Sequence, residues 1–205
     1  MMTNNFSGAD NVWDERFSTN KNLYSTAPNF QFADYLKLKK PGKILLPGDG
    51  EGRNGVFAAK LGWDVTTFDY SKIAIKHTRE LAESAGVSIH SICASIDEVQ
   101  FPEGHFDIIA LIFLHLPPEI RKIHFPRLLN FLKNSGEVYL LGFNKRQIDL
   151  TTGGPKNEGM LNSKDELKTD FSTLRIEKLE EFRFELNEGP KHQGMAELIE
   201  MVGVK

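Results

Sequence analysis

A dense cluster of glycines, Gly48, Gly50, Gly52 and Gly55, constrains this chain more than any other feature. The apolar run KILL, residues 43–46, precedes the cluster as a buried strand would, and an alanine-rich helical pattern follows it. Because glycine lacks a Cβ, such a turn can adopt positive φ and let a ligand lie against main-chain N–H groups at the helix start. The pattern predicts a strand, a ligand-binding loop and a helix.

An acidic residue, Asp69, follows the second predicted strand, 64–68, about 20 residues beyond the glycines, a spacing at which a carboxylate accepts hydrogen bonds from ribose hydroxyls. Two readings of the loop remain open. The spacing Gly50-x-Gly52-x-x-Gly55 matches the dinucleotide fingerprint, whereas Gly48-x-Gly50-x-Gly52 suits S-adenosylmethionine. The loop alone does not choose between these cofactors.

Short apolar strands alternate with helical patterns along the rest of the chain, which is typical of a parallel sheet covered by helices. The predicted strands are 43–46, 64–68, 88–92, 106–113 and 137–142, followed by an antiparallel pair at 174–186 and 196–204. Pro126 is expected to kink or split the helix predicted over 119–132. Arg121 and Arg127 are expected on the solvated face of that helix.

Composition narrows the class of protein. The 205 residues fit one domain, and the net charge of −3 comes without a basic stripe, so we expect a small-molecule partner and no nucleic acid. The longest apolar run, 108–116, is too short to cross a membrane. A single cysteine, Cys93, expected to be buried, favours a reducing cytoplasm. No histidine has partners at metal-ligand spacing, so no metal is expected. A monomer or homodimer is expected.

Three segments resemble class I S-adenosylmethionine-dependent methyltransferases, and together they cover most of the chain. They are GDGEGRNGVFAAKLGWDVTTFDYS, FPEGHFDIIALIFLHLPPEIR and LLNFLKNSGEVYLLGF. WDERF near the start, the TGGP loop at 152–155 and the ending EGPKHQGMAELIEMVGVK resemble the small tellurite-resistance and thiopurine methyltransferase-like branch. The resemblance implies a Rossmann-like α/β fold, with helices on both faces of a seven-stranded, mostly parallel sheet that ends in an antiparallel hairpin.

The resemblance also implies which residues contact S-adenosyl-L-methionine. Gly48, Gly50 and Gly52 would face its methionine part, and Asp69 would hold its ribose. The other expected cofactor contacts, with Ser95 and Ile96 beside the adenine, are Asp49, Asn54, Tyr70, Ser95, Ile96 and Phe113. Two positions depart from the family pattern, because Leu46 and Ser95 stand where many relatives have acidic residues.

His115, directly after the fourth predicted strand, is the candidate catalytic base, since a histidine near neutral pKa can take a proton there. The alternative is a histidine that donates to a main-chain carbonyl under the helix start at Pro117. His192, in the connection of the last two strands, is a substrate candidate, although an exposed loop histidine is the preferred interpretation.

The N-terminal segment, about 11–40, is expected to form a helical lid on a single domain spanning 11–205, with residues 1–10 disordered. The lid and substrate candidates in it are Trp13, Arg16, Phe17 and Tyr24. They would exclude water from the cofactor and pair a guanidinium with a carboxylate. A helix that only packs on the sheet is the competing interpretation.

The sequence therefore predicts a S-adenosylmethionine-dependent methyltransferase that acts by direct in-line transfer on a small acceptor. The acceptor would be a thiol, a selenium or tellurium oxyanion, or a heterocycle. One alternative is an NAD(P)-dependent oxidoreductase, disfavoured because no residues remain for a second, substrate-binding domain. The other is a non-catalytic adenosyl-binding module, motivated by Leu46 and Ser95.

Overall fold

A computed structural model describes residues 9–205. The helices are α1 Ala9–Thr19, α2 Phe30–Lys37, α3 Arg53–Lys60, α4 Lys72–Ser84, α5 Pro118–Phe131 and α6 Lys164–Asp170. The strands are β1 Lys43–Pro47, β2 Asp64–Asp69, β3 His90–Cys93, β4 Phe106–Ile112, β5 Leu132–Phe143, β6 Arg175–Asn187 and β7 Gln193–Val204. Of the segment predicted to be disordered, residues 1–8 lie outside the described residues, whereas Ala9 and Asp10 are helical.

The strands form one sheet of seven, in the order β3-β2-β1-β4-β5-β7-β6. Strands β1 to β5 run parallel, β7 is antiparallel to β5, and β6 closes the edge as the partner of β7. The predicted Rossmann-like fold with its antiparallel final hairpin is confirmed. Pro47 at the end of β1 pairs with Phe68, so the segments after these two strands leave the sheet side by side.

The core has two layers because residues of each central strand alternate between the faces of the sheet. Ile44 and Leu46 of β1 pack with Phe32 of α2 on one face, whereas Leu45 packs with Phe125 of α5 on the other. Helix α2 is thus part of the core, which restricts the predicted lid to α1 and the segment that joins α1 to α2.

The structure differs from the sequence prediction around α5. The helix is continuous through Pro126, which removes only one N–H donor from the turn. Arg121 is 3% exposed and not solvated, because its Nε lies 2.9 Å from Asp170 Oδ2 of α6.

The prediction that Cys93 is buried is wrong: its side chain is exposed, since β3 is an edge strand. In the described part of the chain, no helix is long and apolar enough to span a bilayer.

Candidate active site

The glycine loop between β1 and α3 uses the conformations that only glycine adopts easily. Gly48, Gly50 and Gly52 have φ of 64°, 57° and 82°. A Cβ on Gly52 would lie 2.5 Å from Cγ2 of Thr78, and one on Gly48 would lie 2.9 Å from Cδ1 of Leu114. The loop therefore folds tightly against α4 on one side and against the segment after β4 on the other.

Asp69 ends β2 beside this loop and braces it. Its Oδ2 accepts a hydrogen bond from the Gly50 N–H at 3.1 Å, and its Oδ1 accepts one from the Ser71 N–H at 2.9 Å. Burial raises the pKa of Asp69 to about 6, although those main-chain hydrogen bonds oppose the shift. A carboxylate has roughly four acceptor positions, so Asp69 keeps capacity for further donors.

Asp49 and Asn54, expected to contact the cofactor, direct their side chains to protein groups. Asp49 Oδ2 accepts from the Gly55 N–H at 2.9 Å, and Asn54 Oδ1 accepts from the Asn29 N–H at 2.9 Å. Burial raises the pKa of Asp49 to about 7, and its Oδ1 is buried without a hydrogen-bond partner. A contact from Asp49 to a ligand would therefore come from its main chain.

The residues expected at the adenine lie close to Asp69. The Ala94 N–H donates to the Asp69 carbonyl at 3.0 Å, which fixes the segment after β3 against the end of β2. Ser95 donates to Glu98 Oε2 through its N–H and its hydroxyl, at 2.8 and 3.0 Å. Ile96 follows in this turn, and Tyr70, like Ser95 and Ile96, is partly exposed.

The residues around the glycine loop and Asp69 fit an adenosyl group. The remaining acceptor positions of Asp69 match the hydroxyls of a ribose, whereas the N–H groups of Gly48, Gly50 and Gly52 already donate to Phe68, Asp69 and Asp49. Leu46 is buried beneath the loop at 1% exposure, so the acid that many relatives have there has no counterpart.

The N-terminal segment covers the loop. A Cβ on Gly50 would lie 3.3 Å from Cζ of Phe17, and the Trp13 ring stacks on Phe17 at 5.5 Å between centroids. The Arg16 guanidinium lies 4.8 Å from the centroid of the Trp13 ring and is exposed, and its pairing with a carboxylate stays a prediction. Phe17 is therefore the side chain that packs over Gly50.

Glu51, which sequence reasoning did not single out, fastens this segment to the glycine loop. Its Oε1 accepts from the Asn22 N–H at 2.8 Å and its Oε2 from the Leu23 N–H at 2.7 Å. Nδ1 of His77 on α4 lies 2.8 Å from Oε1. An acid among glycines looks solvent-exposed in sequence, so no pattern indicated this contact.

Beside the loop lies an aromatic cluster, which consists of Tyr24, Phe113, His115, Phe143 and His192. The His192 ring centroid is 4.5 Å from that of Tyr24, 4.6 Å from that of Phe113 and 5.3 Å from that of Phe143. The His115 ring stacks on Phe143 at 5.5 Å. Phe113 has φ of 52°, an unfavourable value for a bulky residue that is typically retained at functional sites.

His115 has both ring nitrogens near main-chain groups. Its Nδ1 lies 2.9 Å from the Met160 carbonyl oxygen, and the Phe143 N–H approaches Nε2 at 3.4 Å. Nδ1 therefore carries the proton and Nε2 accepts. Burial lowers the pKa of His115 to about 4, so the ring is neutral and weakly basic at pH 7. This geometry favours the structural alternative over the predicted base.

His192 is 5% exposed, so the preferred prediction of an exposed loop histidine is wrong. Its turn folds inward because Glu188 is buried as well, with Oε2 2.6 Å from Arg53 Nη2 and Oε1 accepting from Asn29 Nδ2 at 2.7 Å. Arg53 and Glu188 look like solvated residues in sequence, and only their proximity in the fold identifies them. Among the described residues, no group of three or more acidic, histidine or cysteine side chains is arranged to hold a metal.

Comparison with known proteins supports this description. Residues 44–136 match the family described as "Methyltransferase domain". The chain is 29% identical over 107 residues to a probable S-adenosyl-L-methionine-dependent methyltransferase TehB of Haemophilus influenzae, strain 10810. That stretch is 52% of this chain but only 37% of the relative's length.

Solved structures share the fold. TehB from Haemophilus influenzae has a TM-score of 0.69 at 22% identity, and the match covers 94% of this chain and 67% of that one. A structure described as "Conversion of a Disulfide Bond into a Thioacetal Group during Echinomycin Biosynthesis" has a TM-score of 0.78 at 16% identity, covering 96% and 93%.

The strand order and the glycine loop are those of the class I S-adenosylmethionine-dependent methyltransferase fold, and residues 44–136 match a methyltransferase domain, so the chain is similar to enzymes whose cofactor is S-adenosyl-L-methionine. Within that class it is similar to the TehB-like branch, as the resemblance of its N-terminal and C-terminal segments implied.

Proposed function

We propose that this chain binds S-adenosylmethionine along the glycine loop and Asp69 and transfers its methyl group to a small molecule at the aromatic cluster. The observation that carries the proposal is the contact between these two regions. Leu114 follows Phe113 of the cluster, and its Cδ1 lies 2.9 Å from the position of a Cβ on Gly48. A ligand on the loop and a ligand at the cluster would therefore be neighbours.

The cofactor supplies a methyl group on a sulfonium, which a nucleophile displaces directly. The tasks left to the protein are alignment of the reactants and exclusion of water. Phe17 over Gly50 and the contacts of Glu51 to the Asn22 and Leu23 N–H groups support a lid role for α1 and the segment after it. Asp69, Ser95, Ile96 and Tyr70 would hold the ribose and the adenine.

The rings of the aromatic cluster favour a soft acceptor, because sulfur makes favourable contacts with aromatic rings and a thiolate needs no general base. A selenium or tellurium oxyanion or a flat heterocycle fits the same reasoning. We assign His115 a positioning role, since its Nδ1–H is used by the Met160 carbonyl and its pKa is about 4. The net charge of −3 argues against nucleic acid as acceptor. The free Cys93 is compatible with a reducing cytoplasm.

Three measurements test the proposal. Isothermal titration calorimetry should give saturable binding of S-adenosylmethionine and S-adenosylhomocysteine, whereas a fluorescence titration with NADH should give no saturable signal. Formation of S-adenosylhomocysteine should then follow from incubation with at least one member of a panel containing an aromatic thiol, selenite, tellurite and a nitrogen heterocycle. Absence of binding by both adenosyl compounds would refute the proposal, and binding without any turnover would favour the non-catalytic adenosyl-binding alternative.

A further inference from the structure

The turn between β6 and β7 is built around a buried carboxylate. The Glu188 N–H donates to the His192 carbonyl at 2.8 Å, and the His192 N–H donates to the Gly189 carbonyl at 3.1 Å, which closes the turn. Gly189 has φ of 91°, and a Cβ there would lie 2.8 Å from the Leu23 carbonyl oxygen. The turn is thus pressed against the N-terminal segment that carries Tyr24.

The Glu188 side chain links this turn to the glycine loop. Arg53, its ion-pair partner at 2.6 Å, is the first residue of α3 and directly follows Gly52. The two side chains are 8% and 9% exposed, and a buried charge pair of this kind persists only when both partners are present. Burial alone would raise the pKa of Glu188, but the adjacent His192 and Arg53 outweigh it and lower the pKa to about 2.

The His192 ring lies between this carboxylate and the aromatic cluster. Its Nδ1 is 3.6 Å from Glu188 Oε2, while its ring faces Tyr24 and Phe113. Three further charged or titratable groups face the His192 ring. Arg53 and His115 interact with it electrostatically, and the Tyr24 ring contacts it. Nδ1 is buried and makes no hydrogen bond shorter than 3.5 Å within the described residues, and the carboxylate that faces it is that of Glu188 at 3.6 Å.

We propose that Glu188 is a positioning residue that fixes the His192 ring in the aromatic cluster and, through Arg53, ties that cluster to the glycine loop. This inference rests on the proposed function for the role of the cluster as the acceptor site. The contact between Glu188 and His192 itself does not depend on that function, and it is measurable in the protein without any ligand.

The test is a pH titration of the histidine ring signals by NMR, with His192 assigned from a His192→Gln variant. In the wild type, His192 should titrate below the usual histidine range with one dominant ring tautomer. Glu188→Gln should lower the pKa of His192 further, because removal of the carboxylate leaves Arg53 unopposed. Glu188→Asp should restore part of the shift. Glu185→Gln, which removes an exposed carboxylate of β6, should leave His192 unchanged.

Glu188→Gln leaves a buried guanidinium without its ionic partner and can fail to fold for that reason. Arg53→Met/Glu188→Met removes both charges, an exchange that often preserves folding. In this double variant the His192 ring signals should differ from those of the wild type. The proposal is overturned if His192 keeps its wild-type titration in a folded Glu188→Gln variant, if its ring signals in the folded double variant match those of the wild type, or if wild-type His192 titrates like a free histidine with no preferred tautomer.

Kinetics with an aromatic thiol as acceptor provide the functional readout. Glu188→Gln should lower kcat/KM for the thiol about tenfold, while the affinity for S-adenosylhomocysteine stays within about twofold of the wild type. Equal losses in both would mark Glu188 as merely structural. The two failures are distinguishable: lack of adenosyl binding by the wild type refutes the proposed function, whereas an unchanged His192 titration refutes the role of Glu188.

Discussion

The glycine loop and the aromatic cluster lie side by side at the carboxyl ends of the central strands, yet they are built differently from the sequence. The loop is a single continuous stretch, 48–55, whose main-chain conformation requires glycine. The cluster draws its side chains from four separate parts of the chain, namely the N-terminal segment, the residues after β4, the end of β5 and the β6–β7 turn. A local site is readable from sequence, whereas an assembled site exists only after folding.

The largest effect is expected when the ion pair between Arg53 and Glu188, which links the two regions, is broken. Arg53→Met should lower the free energy of unfolding by about 3–5 kcal/mol, because it leaves Glu188 buried without a charged partner. Lys43→Met is the control, since it removes one partner of an exposed pair with Asp64 and should cost at most about 1 kcal/mol. Chemical denaturation measures both. Equal costs would show that the buried pair does not join the regions.

The next effect tests how tightly the loop is built. Gly52→Ala should cost about 1–3 kcal/mol in strain, because a Cβ there combines positive φ with a 2.5 Å approach to Thr78. Gly86→Ala is a matched control: φ is 68° and nothing lies within 4 Å of the added Cβ, so it bears only the conformational cost. Thermal unfolding of the two variants should differ, and equal stabilities would contradict the close packing of Gly52 on α4.

The third effect concerns His115 in the aromatic cluster. His115→Ala should reduce stability by about 1–3 kcal/mol because it leaves the Met160 carbonyl and the Phe143 N–H without their partner. Affinity for S-adenosylhomocysteine should stay unchanged. His90→Ala, at an exposed position, should alter neither quantity. A His115→Ala variant with wild-type stability but greatly reduced turnover would restore His115 as a base.

The smallest effect is a pH dependence that belongs to the loop and not to the cluster. Burial raises the pKa of Asp69 to about 6, so the carboxylate becomes protonated as the pH falls through that value and loses acceptor capacity. Affinity for S-adenosylhomocysteine should be constant above pH 7 and should fall by up to about tenfold per pH unit below 6. Calorimetry across pH checks this. In Asp69→Asn the dependence should vanish, and its persistence would assign it to another group.

The contrast also explains how far sequence reasoning reached. The strands along the chain, the glycine loop and the position of Asp69 at the end of the second strand were predicted because each depends on local patterns of apolar residues, glycine and acid spacing. Glu51, Arg53 and Glu188 were missed as connecting residues, since a charged side chain in a loop looks the same in sequence whether it is solvated or buried in a pair. His192 was expected to be exposed for the same reason. Its burial depends on the N-terminal segment, which is distant in sequence.

The most direct test of the central claim is calorimetric titration of S-adenosylhomocysteine into the wild type and two variants of β2. Asp69→Ala should weaken binding by about 1–3 kcal/mol through lost charge-assisted hydrogen bonds. Asp64→Ala removes an exposed carboxylate from the opposite end of the same strand and should bind like the wild type. Wild-type affinity in Asp69→Ala would contradict the account, because the ribose would then lie elsewhere.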